Sequence, residues 1–247
     1  MNSNKTNTKN KTNTKTNTNT KSKTKNVSQL FNLISEKKIF LALIFSNLIL
    51  QHYISYYVSA NINLDTPKEG EETPNKYNTI IIVSAYILAT LFVLLLFFVP
   101  MSSVVKFIIF SLFSVTFGII YASLKHRLDP AFVQGSAVGT LLVFVFMILF
   151  GLALIMSNIQ YTNKVAFGLF YALVLLIIVS VIQYYMYNYL VITKLVLMVL
   201  AVLFALYIVH TTNNILLRDY EGDFITASFD YYIDNSNFFY ALKVDSD

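Results

Sequence analysis

The carboxyl-terminal stretch Gly222–Asp247, GDFITASFDYYIDNSNFFYALKVDSD, decides how the rest of the chain must be arranged. It is apolar enough to enter a membrane and too acidic to face lipid. On a helix, at 100° per residue, Asp223, Thr226, Asp230, Asp234 and Asn237 fall on one narrow stripe. Phe224, Ile225, Phe229, Tyr232, Phe239 and Tyr240 cover the other side. Asp230 and Asp234 stand at i and i+4, so their carboxyls lie one above the other. One Asp at the centre of a membrane helix costs roughly 2.5–3.5 kcal/mol, so two on the lipid side would cost roughly 5–7 kcal/mol. No Leu-rich run is present to offset that. The stripe is therefore expected to face protein or water inside a bundle. The competing arrangement is a helix flat on the membrane surface. Such helices carry Lys and Arg on the polar face to meet anionic lipid, and this one carries Asp.

Working outward, the chain has 247 residues, of which 56% are hydrophobic and 13% charged, with a mean hydropathy of +0.60. Several long apolar runs mark a polytopic membrane protein. Cysteine is absent, which excludes disulfides, zinc–thiolate sites and cysteine nucleophiles. With no tryptophan, an interfacial aromatic belt has to be built from the 17 tyrosines. The net charge of +5 does not indicate nucleic acid as a partner, because nine of the 18 Lys and Arg lie in the first 38 residues and most of the remaining surface is membrane.

Residues 1–28 are almost wholly Asn, Thr, Lys and Ser, with seven lysines and no acid. Nothing there can offset the entropy of ordering, so a disordered cytosolic tail is expected. It can act as a basic arm toward anionic lipid, and the plainer reading is a solvated tail. Residues 29–247 form the membrane domain. A short amphipathic lead-in, Leu30–Lys38, precedes spans at Ile39–Ala60, Thr79–Val99, Val104–Leu124, Ala131–Ile155, Val165–Met186 and Leu190–His210, with a tight turn at Tyr187–Tyr189. The acidic helix is the seventh element. Seven segments of about 20 residues suit ~30 Å of hydrocarbon.

The first span carries Asn47, Gln51, His52 and Ser55, a polar face expected to pack inward. His52 reads first as an interhelical hydrogen-bond partner and second as a proton-sensitive group. Gly118 permits close packing in the third span, and Gly135–Gly139 gives the fourth a G-x-x-x-G. Lys37, Lys38 and the Lys-rich tail place the amino terminus in the cytosol.

The end of the sixth span and the acidic helix, IVHTTNNIL and then DFITASFDYYIDNSNFFYAL, resemble the transmembrane Bax inhibitor motif family. Asp223, Phe224, Ala227, Tyr232, Asp234, Asn237, Phe238 and Phe239 match its D-[YF]-x-x-A-[AS]-x-x-L-Y-x-D-x-x-N-[LF]-F pattern. The resemblance implies an all-α seven-helix bundle with a semi-polar acidic last helix at its centre. It further implies a pH-sensitive calcium leak across an internal membrane, endoplasmic reticulum or Golgi, and a restraint on cell death. The family's pH sensor is a pair of aspartates. One maps to Asp234; the other maps to Thr211, which cannot ionise, so the paired-carboxylate switch cannot form between those two helices. Asp230 and His210 are the candidate substitutes. The family's basic residue from an early span has no evident counterpart here, and Lys106 lies at a span boundary.

Two functions follow. In the first, Asp234 and Asp230, with Asn237, Thr211, His210 and Asn213, line a pH-sensing cation pathway. The two carboxylates would hold Ca²⁺ transiently as the permeant ion, with no resident cofactor. In the second, the chain is a non-conducting protein that restrains apoptosis through membrane-protein partners, and the acids only hold the bundle together. An enzyme is not expected: an intramembrane aspartyl protease needs two carboxylates brought together from different helices, whereas Asp230 and Asp234 share one.

Overall fold

The computed structural model describes residues 28–62, 64, 76–125, 130–157, 159, 163–186, 190–218 and 220–243. Among these residues the regular elements are all helices. A lead-in helix α1 (28–36) precedes α2 (Lys38–Asn61), α3 (Lys76–Phe98), α4 (Ser103–Lys125), α5 (Pro130–Met156), α6 (Asn163–Met186), α7 (Leu190–Leu217) and α8 (Phe224–Lys243). Residues 1–27 of the basic tail, residues 65–75 between the first two spans and the turn at 187–189 lie outside the described residues.

Among the described residues, five helices are long and apolar enough to cross a membrane: Lys38–Asn61, Tyr77–Phe98, Ser103–Ser123, Gly139–Met156 and Lys194–Leu217. This makes the chain a multi-pass integral membrane protein. The sequence led us to expect seven spans. The run of α6 that enters this comparison is Lys164–Val179, within a helix that extends over Asn163–Met186, and α8 is too polar to count among the five. The outward faces are apolar, as lipid requires: Phe98 on α3 and Phe167 and Tyr171 on α6 are exposed.

Lipid tails are as apolar as leucine, so helices here associate through close packing and interhelical hydrogen bonds. The polar face of α2 provides both. Asn47, Gln51 and Ser55 follow one another at intervals of four and are all buried. Asn47 Nδ2 donates to Ser228 Oγ of α8 at 2.6 Å. Ser114 Oγ of α4 donates to Gln51 Oε1 at 2.8 Å, and Ser55 Oγ donates to the Ser114 carbonyl at 2.7 Å. The single Ser55 proton being spent there, the Tyr232 hydroxyl of α8 is the donor to Ser55 Oγ across 2.5 Å.

Glycine sets the closest approach. A Cβ on Gly118 of α4 would sit 2.7 Å from both the Ser55 carbonyl oxygen and Val58 Cβ of α2. On α5 it is Gly151 that lies tight, with Thr212 Cβ of α7 at 3.0 Å. At Gly139, the described end of the G-x-x-x-G, no described neighbouring atom lies within 4 Å. The close approach expected from that motif is therefore not made at Gly139; Gly118 and Gly151 serve instead.

Helix α7 runs on to Leu217 instead of stopping at His210 as its sequence suggested. The polar run stays helical because its side chains have partners. Thr212 Oγ1 donates back to the Ile208 carbonyl at 2.8 Å and accepts from Tyr231 of α8 at 2.8 Å. At the end of α7, Lys37 Nζ donates to the carbonyls of Ile215 (3.0 Å) and Arg218 (2.6 Å), placing a cation where unpaired carbonyls gather.

Helix α8 starts on a firm cap. Asp223 Oδ1 accepts from the Thr226 backbone N–H at 3.0 Å, and Oδ2 accepts from the Thr226 hydroxyl at 2.7 Å. Lys106, in the first turn of α4, forms an ion pair with the same carboxylate and also donates to Thr226 Oγ1 at 3.1 Å. Burial pushes the Asp223 carboxyl up, but Lys106 and the two Thr226 donors outweigh it and hold the group below its ordinary value.

Two outcomes follow. Gly118→Ala forces α2 and α4 apart, and overpacking of this kind costs about 1–3 kcal/mol. A lowered thermal midpoint in detergent is the expected reading, and an unchanged midpoint contradicts the close approach. For Asp223→Asn, the lowered carboxyl means that the native ion pair stabilises fully above the unfolded-state value of about 3.9 and is lost as pH falls through the folded value. The midpoint gap between wild type and variant should hold from neutral pH down to about 5 and close below about 4. A gap independent of pH contradicts the pairing.

Candidate functional site

The site grows from α8, which packs against α2, α4, α5 and α7. Its two sides are enclosed by different chemistry. On the aromatic side Phe229 and Tyr232 meet α4: Phe110 lies 5.1 Å from Phe229 and 5.3 Å from Tyr232 by ring centroid, both edge-on, with Phe113 at 5.3 Å from Phe229. Tyr231 meets Phe144 of α5 at 5.4 Å. The acidic stripe is therefore held in register by rings that fill the space around it.

Asp234 is buried, 7% exposed, and its Oδ2 accepts a hydrogen bond from Thr211 Oγ1 of α7 at 2.7 Å. Thr211, where the resemblance implies the other aspartate of the pair, thus contacts Asp234 directly, as a neutral donor. The two candidate substitutes have hydrogen-bond partners of their own. Asp230, one turn earlier, accepts from the Tyr220 hydroxyl at 3.3 Å. The His210 ring is approached by the Asn214 amide on its own helix, 3.2 Å from Nδ1. Asn213 is buried on α7, and Asn237 is half-buried one turn beyond Asp234.

Tyr220, in the connection before α8, is the residue most easily missed in the sequence. Burial, with the Asp230 carboxyl beside it, pushes its phenol well above the ordinary value, so it stays protonated and donates. The sequence signal was only its place ten residues before Asp230, too weak to single it out. Lys106 was visible at a span boundary, but its partner proves to be Asp223 and not Asp234. His52 acts as an interhelical partner: Asn235 Nδ2 lies 3.0 Å from Nε2, while Nδ1 faces the Leu48 carbonyl at 2.9 Å. The carbonyl can only accept, which puts the proton on Nδ1 and leaves Nε2 to accept from Asn235.

Among the described residues Lys106 pairs with Asp223, while Asp230 and Asp234 are met by neutral hydroxyl donors and by no cation. Nor do three His, Asp or Glu side chains gather among the described residues as a metal site would require. The two acids expected to hold Ca²⁺ transiently would need neutral oxygens or water to complete its usual six to eight ligands.

A search of curated proteins finds no match. The family model described as "Inhibitor of apoptosis-promoting Bax1" matches residues 35–243, from the lead-in helix to the end of α8. With most of its length matched, the acidic last helix included, this chain belongs to the Bax inhibitor family of apoptosis-related membrane proteins.

Proposed function

We propose that the chain is a pH-sensitive calcium leak channel of an internal membrane, endoplasmic reticulum or Golgi, that modulates calcium stores and cell death. In this reading it is a seven-helix bundle with α8 at its centre and its amino terminus in the cytosol. The observation that carries the proposal is the stripe Asp230–Asp234, with Asp234 buried, Asp230 partly exposed, and both met among the described residues by hydroxyls rather than by a cation. Carboxylates kept inside a membrane bundle without a fixed countercharge attract cations from water, and rings of acids select for them. Hard oxygen donors suit Ca²⁺.

The Thr211–Asp234 bond shapes the pH response. A pair of carboxylates would share a proton and separate when both ionise. A threonine hydroxyl donates whenever Asp234 is ionised, so protonating Asp234 removes charge without breaking up a carboxylate pair. Cation flux should then fall as pH falls. The competing reading is a non-conducting protein that restrains apoptosis through membrane-protein partners. It draws on the same bond, since an Asp that is 7% exposed and hydrogen-bonded across helices also serves as a structural tie.

Calcium flux into proteoliposomes between about pH 6 and pH 8, across physiological pH, separates the two. Wild type should conduct, with less flux at the acid end. Asp234→Asn should lose flux by about tenfold or more, equivalent to about 1.4 kcal/mol at the barrier, and should lose the pH dependence while eluting and melting as a folded protein. Equal flux in the two proteins, or none in either, overturns the channel and leaves the interaction reading.

A further inference from the structure

An open cleft of about 360 Å³ lies at one end of the bundle, bounded by Lys106, Asp223, Thr226, Tyr220 and the carboxyl-terminal turn of α3. Two contacts fix which end. Lys37, before α2, reaches the last carbonyls of α7, and Lys106, at the start of α4, reaches Asp223 before α8. The cleft thus opens on the side where α2, α4 and α8 begin. Its floor is the start of the acidic stripe. At 1.5 Å of rise per residue, Asp230 lies about 6 Å along α8 from Thr226, and Asp234 about 6 Å further.

Between the cleft and Asp230 stands Tyr220. Its side chain forms part of the cleft wall, its hydroxyl donates to Asp230 Oδ2 at 3.3 Å, and its ring lies 6.1 Å from that of Phe40 of α2. It is followed by Glu221 and Gly222, with φ of +52° and +80°. A non-glycine residue in the left-handed region is strained, and this one sits at the pivot of the turn that carries Tyr220.

We propose that Tyr220 is the gate between the cleft and the carboxylates, closed by its hydrogen bond to Asp230 and opened when the 220–223 turn swings its ring aside. The Lys106–Asp223 pair neutralises the mouth, so a cation arriving there meets neither an uncompensated ammonium nor a trap. Beyond the gate, Asp230 loses its phenol donor at the moment the path opens and becomes available to the ion. This inference rests on the leak reading for its purpose, but it makes its own claim about water access.

The native chain has no cysteine, so a single introduced thiol reports its own surroundings. Thr226→Cys and Asp234→Cys would each be made with Tyr220 intact, with Tyr220→Phe and with Tyr220→Ala. Reaction with a small cationic thiosulfonate would be timed on the full chain in detergent. Thr226→Cys should react quickly in all three backgrounds. Asp234→Cys should react slowly with Tyr220 intact and about tenfold faster with Tyr220→Phe, which keeps the ring and lacks the hydroxyl. Reaction should be faster still with Tyr220→Ala. If Asp234→Cys reacts at one rate in all backgrounds, or if Thr226→Cys is protected, the gate is wrong. Calcium flux in liposomes then distinguishes the two claims. Accelerated labelling without flux in any protein sinks the leak and leaves the gate standing. Flux that persists while labelling ignores Tyr220 sinks the gate and leaves the leak.

Discussion

A carboxylate in a membrane has to be sheltered from hydrocarbon, and the arrangement of this protein follows from sheltering those on α8. The cost of leaving two Asp side chains against lipid, roughly 5–7 kcal/mol, is comparable to the whole stability of a small domain. Packing α8 against α2, α4, α5 and α7 avoids that cost. The surrounding helices supply different things: hydroxyl and amide partners from α2 and α7, and aromatic rings from α4 and α5. Three hydrogen bonds tie α2 to α8 through Asn47–Ser228, Ser55–Tyr232 and His52–Asn235. At about 0.6 kcal/mol each in a membrane they contribute about 2 kcal/mol together, so packing must supply the rest.

Helix existence, the inward polar face of α2 and the family were all legible from sequence, because apolar length, four-residue spacing and the D-[YF]…D-x-x-N pattern are local signals. The close contact at Gly118 was legible as permission only; its partner, the Ser55 carbonyl, comes from a helix some sixty positions away. The end of α7 was misplaced for a physical reason. A run of Thr and Asn reads as the exit from a membrane, yet here each hydroxyl is matched by a group on α8 or by its own helix. Local polarity cannot distinguish a residue facing water from one facing a polar neighbour.

The site was half legible. Asp234 and Thr211 were named from the family pattern, and they touch. Asp230 and His210 were looked to as titratable substitutes for the missing carboxylate, and at Thr211 itself the chain presents a neutral donor. Tyr220 and the pairing of Lys106 with Asp223 depend on how the turn at Glu221–Gly222 folds back, and residue identities alone do not give that geometry. The consequence is an unequal division of charge along α8. The outermost acid is neutralised by Lys106, while the inner two are met only by hydroxyls among the described residues.

The most direct test of the sheltered stripe is the contact between α2 and α8. In the cysteine-free chain, Asn47→Cys combined with Ser228→Cys brings together two positions whose native side chains meet at 2.6 Å. Mild oxidation in native membranes should join them, giving a bridged α2–α8 peptide pair by mass spectrometry. Tyr53→Cys with Ser228→Cys should stay open, because Tyr53 is exposed on the outer face of α2. Failure of the first pair to bridge, or equal bridging by the second, would mean that α8 does not lie inside the helices described here.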